Sequence, residues 1–205
     1  TLDLELQKTA QASVSAEVEK LSRHRVSNGA AIVTKPNTGE ILAMIGSRDY
    51  FNSEIDGQVN ITLSHRQPGS SIKPLMYATT FQEKTLSPGS ILLDIPTCCE
   101  IPGQPQYCPK NYDGSFKGPV TIRRSLGNSL NIPAVKALST IGVETFMDQA
   151  TAMGITTWKD PVNYGLSLTL GGGEVRMIDM AQAFGVLANQ GVKVPLSPIV
   201  KIEDY

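Results

Sequence analysis

Two short runs, Ala30-Ala31-Ile32-Val33-Thr34 and Ile41-Leu42-Ala43-Met44-Ile45, are apolar at nearly every position, with Lys35-Pro36-Asn37-Thr38-Gly39-Glu40 between them. Successive strand side chains point to opposite faces, so a hairpin with one wet face alternates polar and apolar residues. Unbroken apolar runs instead call for cover on both faces. The turn-rich spacer predicts two antiparallel strands joined by a tight loop, so the chain needs helices to enclose them. Only one further segment, from Ser197 to Ile202, reads as the start of a strand. So small a sheet is marginal, and more strands are expected beyond Tyr205. The opening Thr1-Leu2-Asp3-Leu4 likewise reads as a cut inside a larger protein.

The helices that could supply the cover are legible. Leu4, Gln7, Ala10 or Gln11, Val14 and Val18 recur at helical spacing, predicting an amphipathic helix over 3–25 that ends before Asn28-Gly29. Ile72, Leu75, Met76 and Thr79 form a second stripe, on a helix from Ser70 to about Glu83. Ile122, Leu126, Leu130, Ala134 and Leu138 run at four-residue steps, broken near Gly127-Asn128-Ser129 and Pro133. Helices are also expected at 143–153 and 174–190, the latter with Met177, Met180, Ala181, Phe184 and Leu187 lining one face. Residues 164–173 read as a buried extended run closing in a Gly-rich turn, and 95–118 as a long irregular excursion. Such excursions inside compact domains are often functional.

Charge excludes some partners. Lys and Arg total 18 against 19 Asp and Glu, without long runs of one sign, so no nucleic-acid partner is indicated. No stretch approaches a transmembrane span and no signal peptide opens the chain. Cys98, Cys99 and Cys108, with His24 and His65 far away, do not make a zinc pattern, so no metal is expected. The three cysteines suit one disulfide plus one free thiol, which would imply an oxidising compartment; three unpaired thiols in a surface loop remain the alternative.

The chemistry centres on Arg66-Gln67-Pro68-Gly69-Ser70-Ser71-Ile72-Lys73-Pro74. Pro68-Gly69 signals a turn, and Pro74 is tolerated where first-turn amides lack intrahelical partners. Ser70 then sits at a helix N-terminus with Lys73 one turn along on the same side. A hydroxyl attacks once a base takes its proton, and an amine whose ammonium form is disfavoured by burial can be that base. The helix N-terminus favours developing negative charge and offers N–H groups to an oxyanion. Taken alone, the tetrapeptide is more often an N-capping serine followed by a solvated lysine. Ser129-Leu130-Asn131, at the break between helical segments, is a second candidate: a hydroxyl to relay a proton and an amide to hold a carbonyl. Its ordinary alternative is again a helix cap.

Together these motifs resemble a known family. Ser-x-x-Lys followed by Ser-x-Asn is the signature order of penicillin-binding protein transpeptidases and serine β-lactamases. Residues 1–7, 38–44, 66–74, 128–135 and 170–175 all look like class A penicillin-binding proteins. The resemblance implies a β-lactamase/transpeptidase-like α/β (α+β) fold: an antiparallel sheet flanked by helices plus a helical subdomain. It divides the chain into an N-terminal helix and first two strands (1–65), a mainly helical part with the motifs (66–195) and the start of a further strand (196–205). It also implies a D,D-transpeptidase that cross-links peptidoglycan and needs no cofactor. By similarity, Ser70 attacks the D-Ala-D-Ala stem peptide, its own amide helping to hold the oxyanion. Lys73 takes its proton, Ser129 passes a proton to the departing D-Ala, and Asn131 holds the acyl donor. β-Lactam antibiotics would acylate the same serine. The implied place is the extracytoplasmic, periplasmic face of the bacterial cytoplasmic membrane, in a parent anchored outside this chain.

The sequence also departs from the family pattern. The third motif, Lys-Thr/Ser-Gly on a sheet strand, is absent; Lys8-Thr9-Ala10 and Lys84-Thr85-Leu86 do not supply it. A C-terminal part of the same domain is therefore the expected partner, and the chain by itself is expected to turn over poorly. A β-lactamase would need a base for deacylation, commonly a glutamate after the second motif, yet 158–170 holds Asp160 and no glutamate. A penicillin-recognising sensor or an assembly scaffold is the non-catalytic alternative.

Overall fold

The computed structural model describes residues 1–99 and 106–204. The chain falls into two compact units, each taken by itself here. One comprises 1–66, 153–157 and 175–205; the other comprises 67–152 and 158–174.

The first unit is built on the strand pair. β1 (Ala31–Lys35) and β2 (Glu40–Ile45) are antiparallel, with a register shift between Val33 and Thr34. Ile41, Ala43 and Ile45 are buried while Leu42 and Met44 are half-buried, so both faces of β2 are at least partly covered. Helix α1 (Leu4–Lys20) packs on β2 and α6 (Met177–Ala188) packs on β1. The glutamines in the α1 stripe have a specific use. Gln7 receives a hydrogen bond from the Met44 N–H (2.8 Å) and donates to the Met44 carbonyl (3.0 Å), imitating a neighbouring strand. With the Asp3 amide on Leu42 and a single parallel bridge from Ser197 to Glu40, it occupies the outer edge of β2. An occupied edge cannot template pairing with another chain.

The α6 face differs from the expected one. Met180, Ala183 and Val186 are buried, whereas Phe184 and Leu187 remain 39% and 38% exposed. Asp179 fixes the rotation: it turns inward, accepting from Arg176 (2.8 Å) and from the Thr156 hydroxyl (2.9 Å). A buried carboxylate held by a cation and a hydroxyl outweighs a pattern read from apolar residues alone.

The second unit packs α2 (Lys73–Gln82) against α4 (Asn131–Ile141). Ile72, Leu75, Met76 and Thr79 are all buried, as the stripe requires. Helices α3 (Ile122–Gly127) and α5 (Val143–Met153) join them among the described residues, and Trp158 makes an edge contact with Phe146. A hairpin not expected from sequence, β3 (Ile91–Asp94) with β4 (Gly118–Thr121), brackets the irregular excursion. Residues 164–173 are not extended. Pro161–Asn163 and Leu166–Leu170 are short 3-10 turns, and Gly171 follows in the left-handed region at φ +84°. Alternating leucines in a short run fit a tight turn as well as a strand, and the glycines here permit the turn.

Candidate active site

All four side chains singled out from the sequence lie in the second unit. Ser70 is part of a 3-10 turn, Gly69–Ile72, that feeds directly into α2, whose first residue is Lys73. Gly171 makes this approach possible: a Cβ there would come within 2.2 Å of the Gly69 amide nitrogen. Neither ordinary alternative for the tetrapeptide holds. Ile72 is the N-cap of α2 and no side chain caps it, so Ser70 is not a cap. Lys73 is not solvated but fully buried.

Burial is why the amine is unusual. Removing an ammonium from water disfavours the charged form, and the Lys73 amine is pushed down from 10.5 to about 8. The amine donates to the Ser129 carbonyl (2.7 Å), the Ser129 Oγ (3.1 Å) and the Asn131 Oδ1 (2.7 Å), which uses all three of its protons. Among the described residues the exposed Ser70 hydroxyl has no hydrogen-bond partner. Resting Lys73 thus faces Ser129 and Asn131. Catalytic hydrogen bonds commonly tighten only when substrate is bound.

The Ser129 motif is set by the break between helices α3 and α4. Thr121 caps α3, accepting from the Arg124 N–H (3.2 Å), and the helix closes at Gly127. Ser129 then adopts a left-handed conformation, φ +53°, which costs a non-glycine residue about 1 kcal/mol. The reversal turns the Ser129 carbonyl and hydroxyl toward Lys73. Leu130 is the N-cap of α4 and has no capping side chain, so the cap alternative fails for Ser129 and Asn131 too. Ser70, Ser129 and Asn131 share an open cleft of about 580 Å³ with Asn111, Tyr112 and Lys117.

Sequence reasoning missed the residues from the excursion. Asn111 is buried and accepts from the Asn131 backbone N–H (2.8 Å), while the Lys110 carbonyl accepts from Asn131 Nδ2 (2.8 Å). Tyr112 projects fully into solvent at the cleft. The signal available was the length of the excursion, which marks a region without marking residues. Of the cysteines, Cys98 and Cys108 form a disulfide and Cys99 is free, which selects one disulfide plus one thiol over three thiols. Among the described residues no cluster suited to a metal ion exists. Likewise, no described helix is long and apolar enough to cross a membrane.

Comparison with known proteins identifies the family. Residues 29–205 match the family model described as the penicillin binding protein transpeptidase domain. The chain is 34% identical over 178 residues to penicillin-binding protein 1A of Rickettsia bellii, covering 86% of this chain and 22% of that protein. It is 38% identical over 193 residues to penicillin-binding protein 1F of Bacillus subtilis, covering 93% and 25% respectively. The chain therefore spans about a quarter or less of the length of these curated relatives. Among solved structures, penicillin-binding protein 1A of Haemophilus influenzae superposes with a TM-score of 0.70 at 32% identity, over 79% of this chain and 23% of that one. The transpeptidase domain of Burkholderia pseudomallei penicillin-binding protein 3 gives 0.81 at 19% identity, over 98% and 61%, a likeness of fold. The α/β transpeptidase fold expected from the sequence is thus the fold observed. By sequence and by structure, this chain belongs to the penicillin-binding protein transpeptidase family.

Proposed function

We propose that this chain carries the acyl-transfer chemistry of a serine D,D-transpeptidase acting on peptidoglycan stem peptides, with β-lactams as competing acylating agents. The observation that carries this reading is the buried Lys73 amine, hydrogen-bonded to both Ser129 and Asn131, which line the same cleft as Ser70. With Lys73 neutral, Ser70 Oγ attacks the carbonyl carbon of the penultimate D-Ala while its proton passes to Lys73 Nζ. The Ser70 N–H serves the oxyanion. The peptide C–N bond then breaks; the proton moves from Lys73 through Ser129 Oγ to the nitrogen of the departing D-Ala. An acceptor amine next attacks the Ser70 ester, forms the new amide and restores the hydroxyl. The second hydrogen of Asn131 Nδ2, beyond the one given to Lys110, is the donor for the acyl-side carbonyl.

Transfer is favoured over hydrolysis. Asp160, the acidic residue of 158–170, caps the next turn by accepting from the Val162 N–H (3.1 Å) and so is committed to structure. The chain's place would be outside the bacterial cytoplasm, where disulfides such as Cys98–Cys108 persist. The test is a D-Ala-D-Ala-ended donor peptide offered with an amine acceptor. The expected result is a transfer product that disappears in Ser70→Ala. Rapid hydrolysis without transfer would favour a β-lactamase-like enzyme. No turnover and no covalent adduct would favour a sensor or scaffold.

A further inference from the structure

Asp94 ends β3 fully buried, and no described cation pairs with it. A buried carboxylate is costly unless N–H groups surround it. Here Asn111 Nδ2 donates to both oxygens (2.9 Å each) and the Lys117 backbone N–H donates to Oδ2 (2.9 Å). The polarity of this contact is decisive. A carboxylate only accepts, so the NH₂ end of Asn111 must face it, and the Asn111 oxygen must face the other way. That oxygen takes the Asn131 backbone N–H, an α4 first-turn donor that Leu130 cannot cap. The Ser115 carbonyl, accepting from Asn111 Nδ2 (2.9 Å), enforces the same orientation. Adjacent Lys110 repeats the logic: its carbonyl takes Asn131 Nδ2, which leaves Asn131 Oδ1 toward the Lys73 amine.

We propose that Asp94 and Asn111 are positioning residues: the buried carboxylate sets which way the Asn111 amide points, and Asn111 thereby holds Asn131, and with it Lys73, in reactive register. The inference rests on the transpeptidase reading for its catalytic meaning, while the ordering of Asn131 can be measured without it. Neither residue reaches the reacting atoms.

The test uses the full 205-residue chain with asparagine-selective isotope labelling, as wild type, Asp94→Asn, Asn111→Ala, Asn111→Asp and the swap Asp94→Asn/Asn111→Asp. In the wild type the Asn131 side-chain amide gives one sharp, slowly exchanging pair of resonances. In Asn111→Ala they average, and exchange quickens roughly 10-fold or more. Asn111→Asp sets two carboxylates face to face and is the most disturbed; the swap returns a donor facing an acceptor between 94 and 111 and restores much of the wild-type signal, short of the part that the Ser115 carbonyl loses with its donor. Acylation by benzylpenicillin at Ser70 slows about 100-fold in Asn111→Ala, and the swap recovers to within about 10-fold of wild type. Val120→Ala, a core truncation in β4, lowers the melting temperature without moving either readout. Should Asn111→Ala not fold, isosteric Asp94→Asn and the swap carry the test. The proposal is overturned if Asn131 stays ordered in the folded variants, if Val120→Ala disturbs it equally, or if the swap is no better than Asn111→Asp. A wild-type chain that never reacts at Ser70 removes the transpeptidase reading, and the resonances of Asn131 still decide this one.

Discussion

Lys73 carries its amine into a buried position, and its behaviour follows from that. A lysine lowered to about 8 holds a neutral amine in a useful fraction of molecules near neutrality, whereas a solvated one does not. If the neutral amine takes the Ser70 proton, acylation rises with pH along a limb centred near 8 and then levels. Lys73→Arg keeps the charge but cannot deprotonate, and acylation is expected to fall by about 10²–10⁴. Stopped-flow acylation across pH 6 to 10 checks both, and a flat profile would remove Lys73 as the base. The same shift links pH to stability. The unfolded lysine keeps its proton to 10.5 and the folded one only to about 8, so this group's destabilising effect is fully present below about 8 and is relieved as pH rises through that window. At this scale the sequence was informative about residue types and poor about contacts. Ser-x-x-Lys named the amine, but not that it rests on Ser129 and Asn131, because partners 56 and 58 positions away depend on tertiary packing.

Elements place these side chains through backbone reversals, and glycine makes one of them possible. Gly171 combines φ +84° with Gly69 backbone atoms 2.2 to 2.4 Å from where its Cβ would stand. Gly171→Ala is expected to cost more than about 1 kcal/mol from conformation alone, with the backbone clash added, and to slow Ser70 acylation even below the melting transition. Gly185, inside α6 with open space around it, is the opposite case: Gly185→Ala is expected to stabilise by about 0.5–1 kcal/mol. Thermal melts of both variants measure this, and equal effects would contradict the assignment of Gly171 to the Ser70 turn. Helix stripes and the β1–β2 pair were readable because their periodicity is local. The β3–β4 hairpin was not, since 23 intervening residues, 95–117, separate its strands. The turn at 166–170 was missed because its alternating leucines suit more than one backbone.

For the whole molecule, the distribution of chemistry between the two units matters more than either unit's size. Ser70, Lys73, Ser129, Asn131, Asn111 and Asp94 all belong to one of them, so the proposed acylation would draw on a single packed unit. The sequence holds no Lys-Thr/Ser-Gly, and the acidic residue of 158–170 serves as a cap. Slow acylation and slower loss of the acyl group are therefore expected, so that a β-lactam adduct persists for hours after free drug is removed; an adduct lost within minutes would mean that an unrecognised group activates water. The most direct measurement of the central claim is intact mass after incubation with benzylpenicillin, for the wild-type chain and for Ser70→Ala. A single adduct of the intact drug on the wild type, mapped to Ser70 and absent from Ser70→Ala, is the expected result. No adduct on the wild type, or an adduct that survives Ser70→Ala, would contradict the assignment of Ser70 as the nucleophile.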